Sequence, residues 1–212
     1  MARQLTDLEI KIAEIVVNAG EDALWEYSAS LKSPYGPLLE IRTEKMSGKA
    51  NPSQLLIDDS SSYPDYVLHH NHLSGESLGF ADWCGASTYF NEIFAHCNDG
   101  TYYYGKVLQK DTLLSKINSV KVHLESMAEN CLNDHLLDMY SQAISFLRKD
   151  VICRAFKIRG YVDYEYQWGY SAVKHTEVER MNINGIISVG QLGRVLDRVI
   201  IEAACELSEK SW

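Results

Sequence analysis

Leu68-His69-His70-Asn71-His72-Leu73-Ser74-Gly75-Glu76-Ser77-Leu78-Gly79-Phe80-Ala81-Asp82-Trp83 is the stretch on which the reading of this chain turns. Three of the seven histidines fall within four residues, at the end of an apolar run that begins at Tyr66, and Asp82 follows ten positions after His72. Side chains alternate between faces along an extended strand, so His70 and His72 point one way and His69 the other. Gly79 is an acceptable helix N-cap, which puts Asp82 at the third helical position, inside the first turn. Two imidazoles on one strand face and a carboxylate from the next element make three corners of a tetrahedral zinc site. The fourth is the open position that a catalytic zinc keeps. His69, on the far face, is expected to pack or hydrogen-bond instead.

Outward from this stretch the pattern alternates between strands and helices. Thr6-Asp7-Leu8-Glu9 has the form of a capping box, and Leu5, Leu8, Ile12, Ile15 and Val16 recur at helical spacing up to Gly20. Leu24–Leu31 reads as a strand, Ser33-Pro34-Tyr35-Gly36 as a turn and Pro37–Arg42 as the return strand. Glu44–Ser53 reads as an exposed loop; Gln54–Ile57 and Tyr66–His72 read as further strands around a polar segment at Asp58–Ser62. From Gly79 the pattern turns helical, with Trp83, Ala86, Tyr89, Phe90 and Phe94 as its apolar stripe, and Thr101–Leu108 is again a strand.

The second half is helical. Leu113 to Cys131 keeps a 3.6-residue period, and so do Leu136, Leu137, Tyr140, Ala143, Ile144 and Leu147. A last helix over about Val189–Leu207 buries Leu192, Val195, Leu196, Val199 and Ile200, and the aromatic, acidic stretch Tyr161–Tyr170 is placed to close back over the sheet. The expected architecture is a single α+β domain over residues 1–212, with a mixed or antiparallel sheet, flanking helices and a helical C-terminal half.

Composition narrows the functional classes. A net charge of −9 leaves no basic excess to neutralise phosphates, which argues against general nucleic-acid binding. No apolar run of membrane-spanning length occurs, and Met1–Asp7 lacks the apolar core of a signal peptide. Five scattered cysteines without a C-x-x-C pair suit reduced thiols in a cytoplasmic protein. Cys84 lies two residues after Asp82 and reads as a small apolar helix residue. The letters His-Asn-His invite a nuclease reading, but HNH nucleases spread those residues over a ββα unit, and here they are adjacent.

The segment from His70 to Asp82 resembles the JAMM (JAB/MPN) metalloprotease motif, written H-x-H-x7-S-x-x-D. It is most similar to the bacterial branch, where the segment often reads His-Asn-His-Pro-Ser-Gly. Leu73 stands in place of the proline, Gly79 in place of the serine, and the loop is one residue shorter than in the family. The likeness extends over about residues 23–109, with 110–212 as a helical extension.

The resemblance implies that His70, His72 and Asp82 bind zinc, which lowers the pKa of a bound water toward neutrality. It also implies a glutamate on an earlier strand as general base. Glu26 fits best, because it heads a strand, a turn and a second strand in the family's order; Glu40 on the return strand is the alternative. The family's serine donates to the developing oxyanion. With Gly79 in its place, Ser77 is the candidate substitute and Ser74 a second one.

The expected function is zinc-dependent hydrolysis of a peptide or isopeptide bond in a protein or peptide substrate. The alternative is a JAMM-like scaffold that has lost catalysis and serves as a protein-binding module.

Overall fold

The computed structural model describes residues 3–60, 65–135, 141–169 and 189–212. In chain order its elements are α1 (Asp7–Ala23), β1 (Ser28–Leu31), β2 (Leu38–Arg42), α2 (Gln54–Ser60), β3 (Val67–Asn71), α3 (Phe80–Thr88) and β4 (Glu92–His96). They continue with β5 (Tyr102–Val107), α4 (Lys110–His135), α5 (Ser141–Ile158), β6 (Val162–Gln167) and α6 (Val189–Glu209). The strands form one six-stranded mixed sheet in the order β2-β1-β3-β4-β5-β6. Only β3 and β4 run parallel. A parallel pair needs a crossover, and α3 supplies it, springing from the end of the strand that carries the histidines.

The capping box forms as expected. Thr6 Oγ1 accepts the Glu9 N–H at 3.3 Å, and the Glu9 carboxylate accepts the Thr6 N–H at 2.8 Å. Helix α1 then runs past Gly20 and ends only at Leu24, whose φ of 57° lies in the left-handed region. Its buried residues Ile12 and Val16 pack against Ala29, Leu31, Val67, Phe94 and Tyr104 on one face of the sheet. The larger core covers the opposite face, where Leu68, Ile93, Ala95 and Tyr103 meet Trp83, Leu113, Leu147, Phe156 and Leu207. Helices α4, α5 and α6 pack on one another, and α5 also reaches β6.

Strand parity then sorts the histidines. His69 shares a face with Val67, toward α1, whereas His70 shares a face with Leu68, toward the helical layer.

Two sequence expectations are corrected. Gln54–Ile57 is the start of helix α2, not a strand. The helix from Gly79 stops at Thr88, so Phe94 belongs to strand β4, in which every residue is buried. Of the stretch read as closing back over the sheet, Val162–Gln167 does return to it, as edge strand β6 paired antiparallel with β5. The expected positions Ser61, Ser62, Leu136, Leu137, Tyr140 and Tyr170 lie outside the described residues, as do the side chains of Ala143, Leu192 and Val195. All five cysteines are free thiols. Among the described residues, no helix is long and apolar enough to cross a membrane.

Candidate metal centre

His70 ends its strand's alternation beside His72, and the two imidazoles meet edge to face with their Nε2 atoms 2.8 Å apart. Asp82 reaches both from the first turn of α3. Its Oδ1 lies 3.3 Å from His70 Nε2 and its Oδ2 lies 3.7 Å from His72 Nε2. These three are the group of possible metal ligands found among the described residues.

Two of the three donors are held in orientation by backbone. His72 Nδ1 donates to the Glu76 carbonyl at 2.8 Å, which leaves Nε2 as the free ligand atom. The Gly79 N–H donates to Asp82 Oδ2 at 2.7 Å, so the helix start aims the carboxylate back toward β3. Tetrahedral ligand atoms on zinc stand about 3.3 Å apart for bonds near ~2.05 Å. Each Asp82 distance lies within a few tenths of an ångström of that spacing, one through Oδ1 and the other through Oδ2, so the carboxylate would have to turn to offer a single oxygen. The imidazoles would have to part by about half an ångström to satisfy the same geometry. The donor set of two buried nitrogens and one carboxylate oxygen therefore fits a divalent metal.

The electrostatics favour the same outcome at His72 and Asp82, while His70 holds its proton more tightly until a metal displaces it. Burial, together with the charge of His70, pushes His72 down to about 4, so it is neutral as a ligand must be. Burial also opposes charge on Asp82. The hydrogen bond and charge of His70, the charge of His72 and the Gly79 N–H nevertheless hold its carboxyl well below the usual range. His70 is likewise desolvated, but Asp82 and Glu26 outweigh that and raise its pKa.

Glu26 stands two residues before β1. In the β1–β3 ladder Ser28 pairs with His70, and the Asn71 N–H donates to the Tyr27 carbonyl at 3.2 Å. Glu26 lies just beyond this pairing, close enough to the candidate ligands to feel the charges of His70 and Asp82. Burial pushes its carboxyl up to about 7; the Asp82 charge adds to the shift, while His70 and Lys149 oppose it. Glu40 does not share this position. It pairs with Ser30 on β2, with all of β1 between it and β3, and its Oε1 accepts the Ser53 N–H at 2.8 Å.

The expectation for Ser77 is corrected. Its side chain is fully buried, with Oγ 2.6 Å from the Tyr164 hydroxyl, which in turn donates to Asp150 Oδ1 at 3.1 Å. Gly75, at φ 70°, turns the loop so that Ser77 and Leu78 face the core and not the ligands. Ser74 is exposed, and its Oγ accepts the Glu76 N–H at 3.3 Å. Cys84 packs against the large core.

His69 is not among the ligands. It is stacked on Phe94, with Nδ1 3.0 Å from His96 Nε2 and Nε2 3.3 Å from Glu9 Oε1. Arg3 completes this buried chain on the α1 side by bridging Glu9 and Glu92.

One residue escaped sequence reasoning although it stands inside the motif. Asn71 is fully buried; its Oδ1 accepts the Tyr27 N–H at 2.6 Å and its Nδ2 donates to the Trp25 carbonyl at 3.2 Å. It grips the backbone on both sides of Glu26. Its identity carried no signal, because its partners lie more than forty residues away.

No protein-family model matches this chain, and neither does any curated protein or solved structure.

Proposed function

We propose that this chain is a metal-dependent hydrolase that cleaves a peptide or isopeptide bond, with His70, His72 and Asp82 holding zinc. The JAMM-type motif, the expected cytoplasmic setting and a protein or peptide substrate belong to the same reading. The observation that carries it is the placement of Glu26: a half-buried carboxylate just beyond the β1–β3 ladder, close enough to feel the charges of His70 and Asp82, with its pKa pushed up to about 7. Zinc held there supplies Lewis acidity, activating water and polarising a carbonyl.

The chain's own residues supply the rest. Asp82 and the two imidazoles fix the site between β3 and α3. Glu26 takes the proton of the attacking water and delivers it to the leaving amine, a role suited to a base that titrates near neutral pH.

The burial of the Ser77 hydroxyl favours the second reading, a scaffold that binds protein without turnover. Two measurements separate the readings. Elemental analysis of protein purified without added zinc should find one zinc per chain, lost in His70→Ala. A panel of quenched peptides and lysine-linked isopeptides should then be hydrolysed by the wild type and not by Glu26→Gln. Stoichiometric zinc without turnover on any of them would favour the binding module, and absence of zinc would remove the hydrolase reading and leave the binding module.

A further inference from the structure

The proposed hydrolysis leaves one requirement unmet. As water adds to the carbonyl carbon, the C=O π pair moves onto oxygen, and that oxygen needs a donor. Ser77 is turned into the core. Ser28 is the hydroxyl closest in register to His70, but it is 1% exposed and closed to substrate. The loop that carries Asp82 has glycine at the helix cap.

The space over that glycine is filled from the other half of the chain. A β-carbon built on Gly79 would lie 3.9 Å from Lys149 Nζ and 3.6 Å from Asp82 Oδ2. The ammonium of α5 and the carboxylate of the ligand therefore flank the same spot. Lys149 is held there by Glu76, whose Oε2 is 2.7 Å from Nζ. The Glu76 carbonyl accepts from His72, so one residue orients a ligand with its backbone and the lysine with its side chain. The Lys149 charge is felt at both Glu26 and His72.

We infer that Lys149 is a catalytic residue of this site, the cationic donor that stabilises the developing carbonyl oxygen in place of a hydroxyl at position 79. This rests on the hydrolase reading above. The water oxygen bonds to the carbonyl carbon, its proton goes to Glu26, and the carbonyl oxygen takes the π pair while accepting a hydrogen bond from the Lys149 ammonium. The C–N bond then breaks, the proton on Glu26 passes to the amine nitrogen, and the carboxylic acid so formed loses its remaining proton to the freed amine, leaving a carboxylate and an ammonium. Lys149 keeps its proton throughout. A pre-placed ammonium stabilises such an oxygen without the reorganisation that solvent would need.

The test uses the full chain loaded with cobalt or zinc, in Lys149→Met, Lys149→Arg and the double variant Gly79→Ser/Lys149→Met. The first readout needs no substrate: binding of inorganic phosphate, followed by the visible spectrum of the cobalt form. Lys149→Met should weaken phosphate at least 10-fold while leaving the phosphate-free spectrum and the metal content unchanged. Lys149→Arg should retain most of the affinity. The second readout is turnover, where Lys149→Met should lower kcat by about 10²–10³ with little change in KM. The double variant, which sets a hydroxyl over the same spot, should recover part of that loss.

Unchanged phosphate affinity in metal-loaded Lys149→Met overturns this inference and leaves the hydrolase reading standing. So does unchanged kcat. Absence of turnover in the wild type, with phosphate binding still dependent on Lys149, overturns the hydrolase reading and with it the catalytic role, leaving an anion site. Failure of the wild type to bind metal overturns both.

Discussion

Asn71 accepts the Tyr27 N–H at 2.6 Å from within the strand that carries the metal-binding histidines. The clamp ties the strand of His70 to the segment that presents Glu26, so the proposed general base and the candidate metal ligands share one reference. Gly20 makes room for it: a β-carbon there would come within 2.0 Å of Asn71 Nδ2. Asn71→Ala is expected to cost about 2 kcal/mol through the unpaired Tyr27 N–H and Trp25 carbonyl. It should also lower kcat about 10-fold or more while keeping one metal per chain, since small misplacements of a catalytic group are expensive. Gly20→Ala should act in the same direction. Chemical denaturation, metal analysis and kinetics on the same preparations check this, and unaltered kcat in a folded Asn71→Ala protein would refute the coupling.

Glu26→Gln keeps the shape and removes the basicity. It should retain metal and lose about 10²–10⁴ in kcat, the usual contribution of a positioned acid–base group. Glu40→Gln should stay near wild-type activity, because Glu40 lies beyond β1 and is occupied with the Ser53 N–H. Equal losses in the two variants would mean that the base has been misassigned.

His69→Gln separates the two sides of β3. The side chain lies in the chain from Glu9 to His96, so its loss is expected to cost about 1–3 kcal/mol through unsatisfied buried groups. Metal stoichiometry should stay at the wild-type value, in contrast to His70→Ala and Asp82→Asn. Thermal unfolding with parallel metal analysis decides it; loss of metal in His69→Gln would show that the two faces are not independent.

The parts of this site that could be read in advance are those set by local geometry. The sharing of a face by His70 and His72 follows from strand parity, and the aim of Asp82 from its place three residues after the Gly79 cap. The Thr6–Glu9 cap was visible for the same reason. Strand β4 was hidden because it is buried on both faces: Glu92–His96 shows no alternation, and Phe90 and Phe94 continue the period of α3. The 54–57 run was misread because its few apolar residues suit a short helix as well as a strand. Ser77 failed for a different reason. Where its hydroxyl points depends on Tyr164 and Asp150, which arrive from β6 and α5, and no pattern within the loop encodes that. The positions of Asn71 and Lys149 are equally nonlocal.

Asp150 makes the buried side of that loop sensitive to pH. It is fully buried, accepts from Tyr164 at Oδ1 and has no partner at Oδ2. Burial pushes its pKa up to about 7, against the opposing hydrogen bond from Tyr164. The unfolded chain releases this proton near pH ~4. Between about pH 4 and 7 the folded state therefore binds more protons than the unfolded one, and stability falls as pH rises through that window before levelling off above it. Asp150→Asn removes the titration while keeping an acceptor for Tyr164. The variant should gain on the wild type by about 2–4 kcal/mol between pH 4 and pH 8, with most of the change complete by pH 7. Taking the difference between the two proteins cancels the acid-side loss from Glu9, whose depressed pKa of about 2 acts in the opposite sense at lower pH. Urea unfolding of both proteins at intervals across this range is the measurement. A difference that stays flat from pH 4 to pH 8 would mean that Asp150 is already ionised in the folded protein and that its burial exacts no such cost.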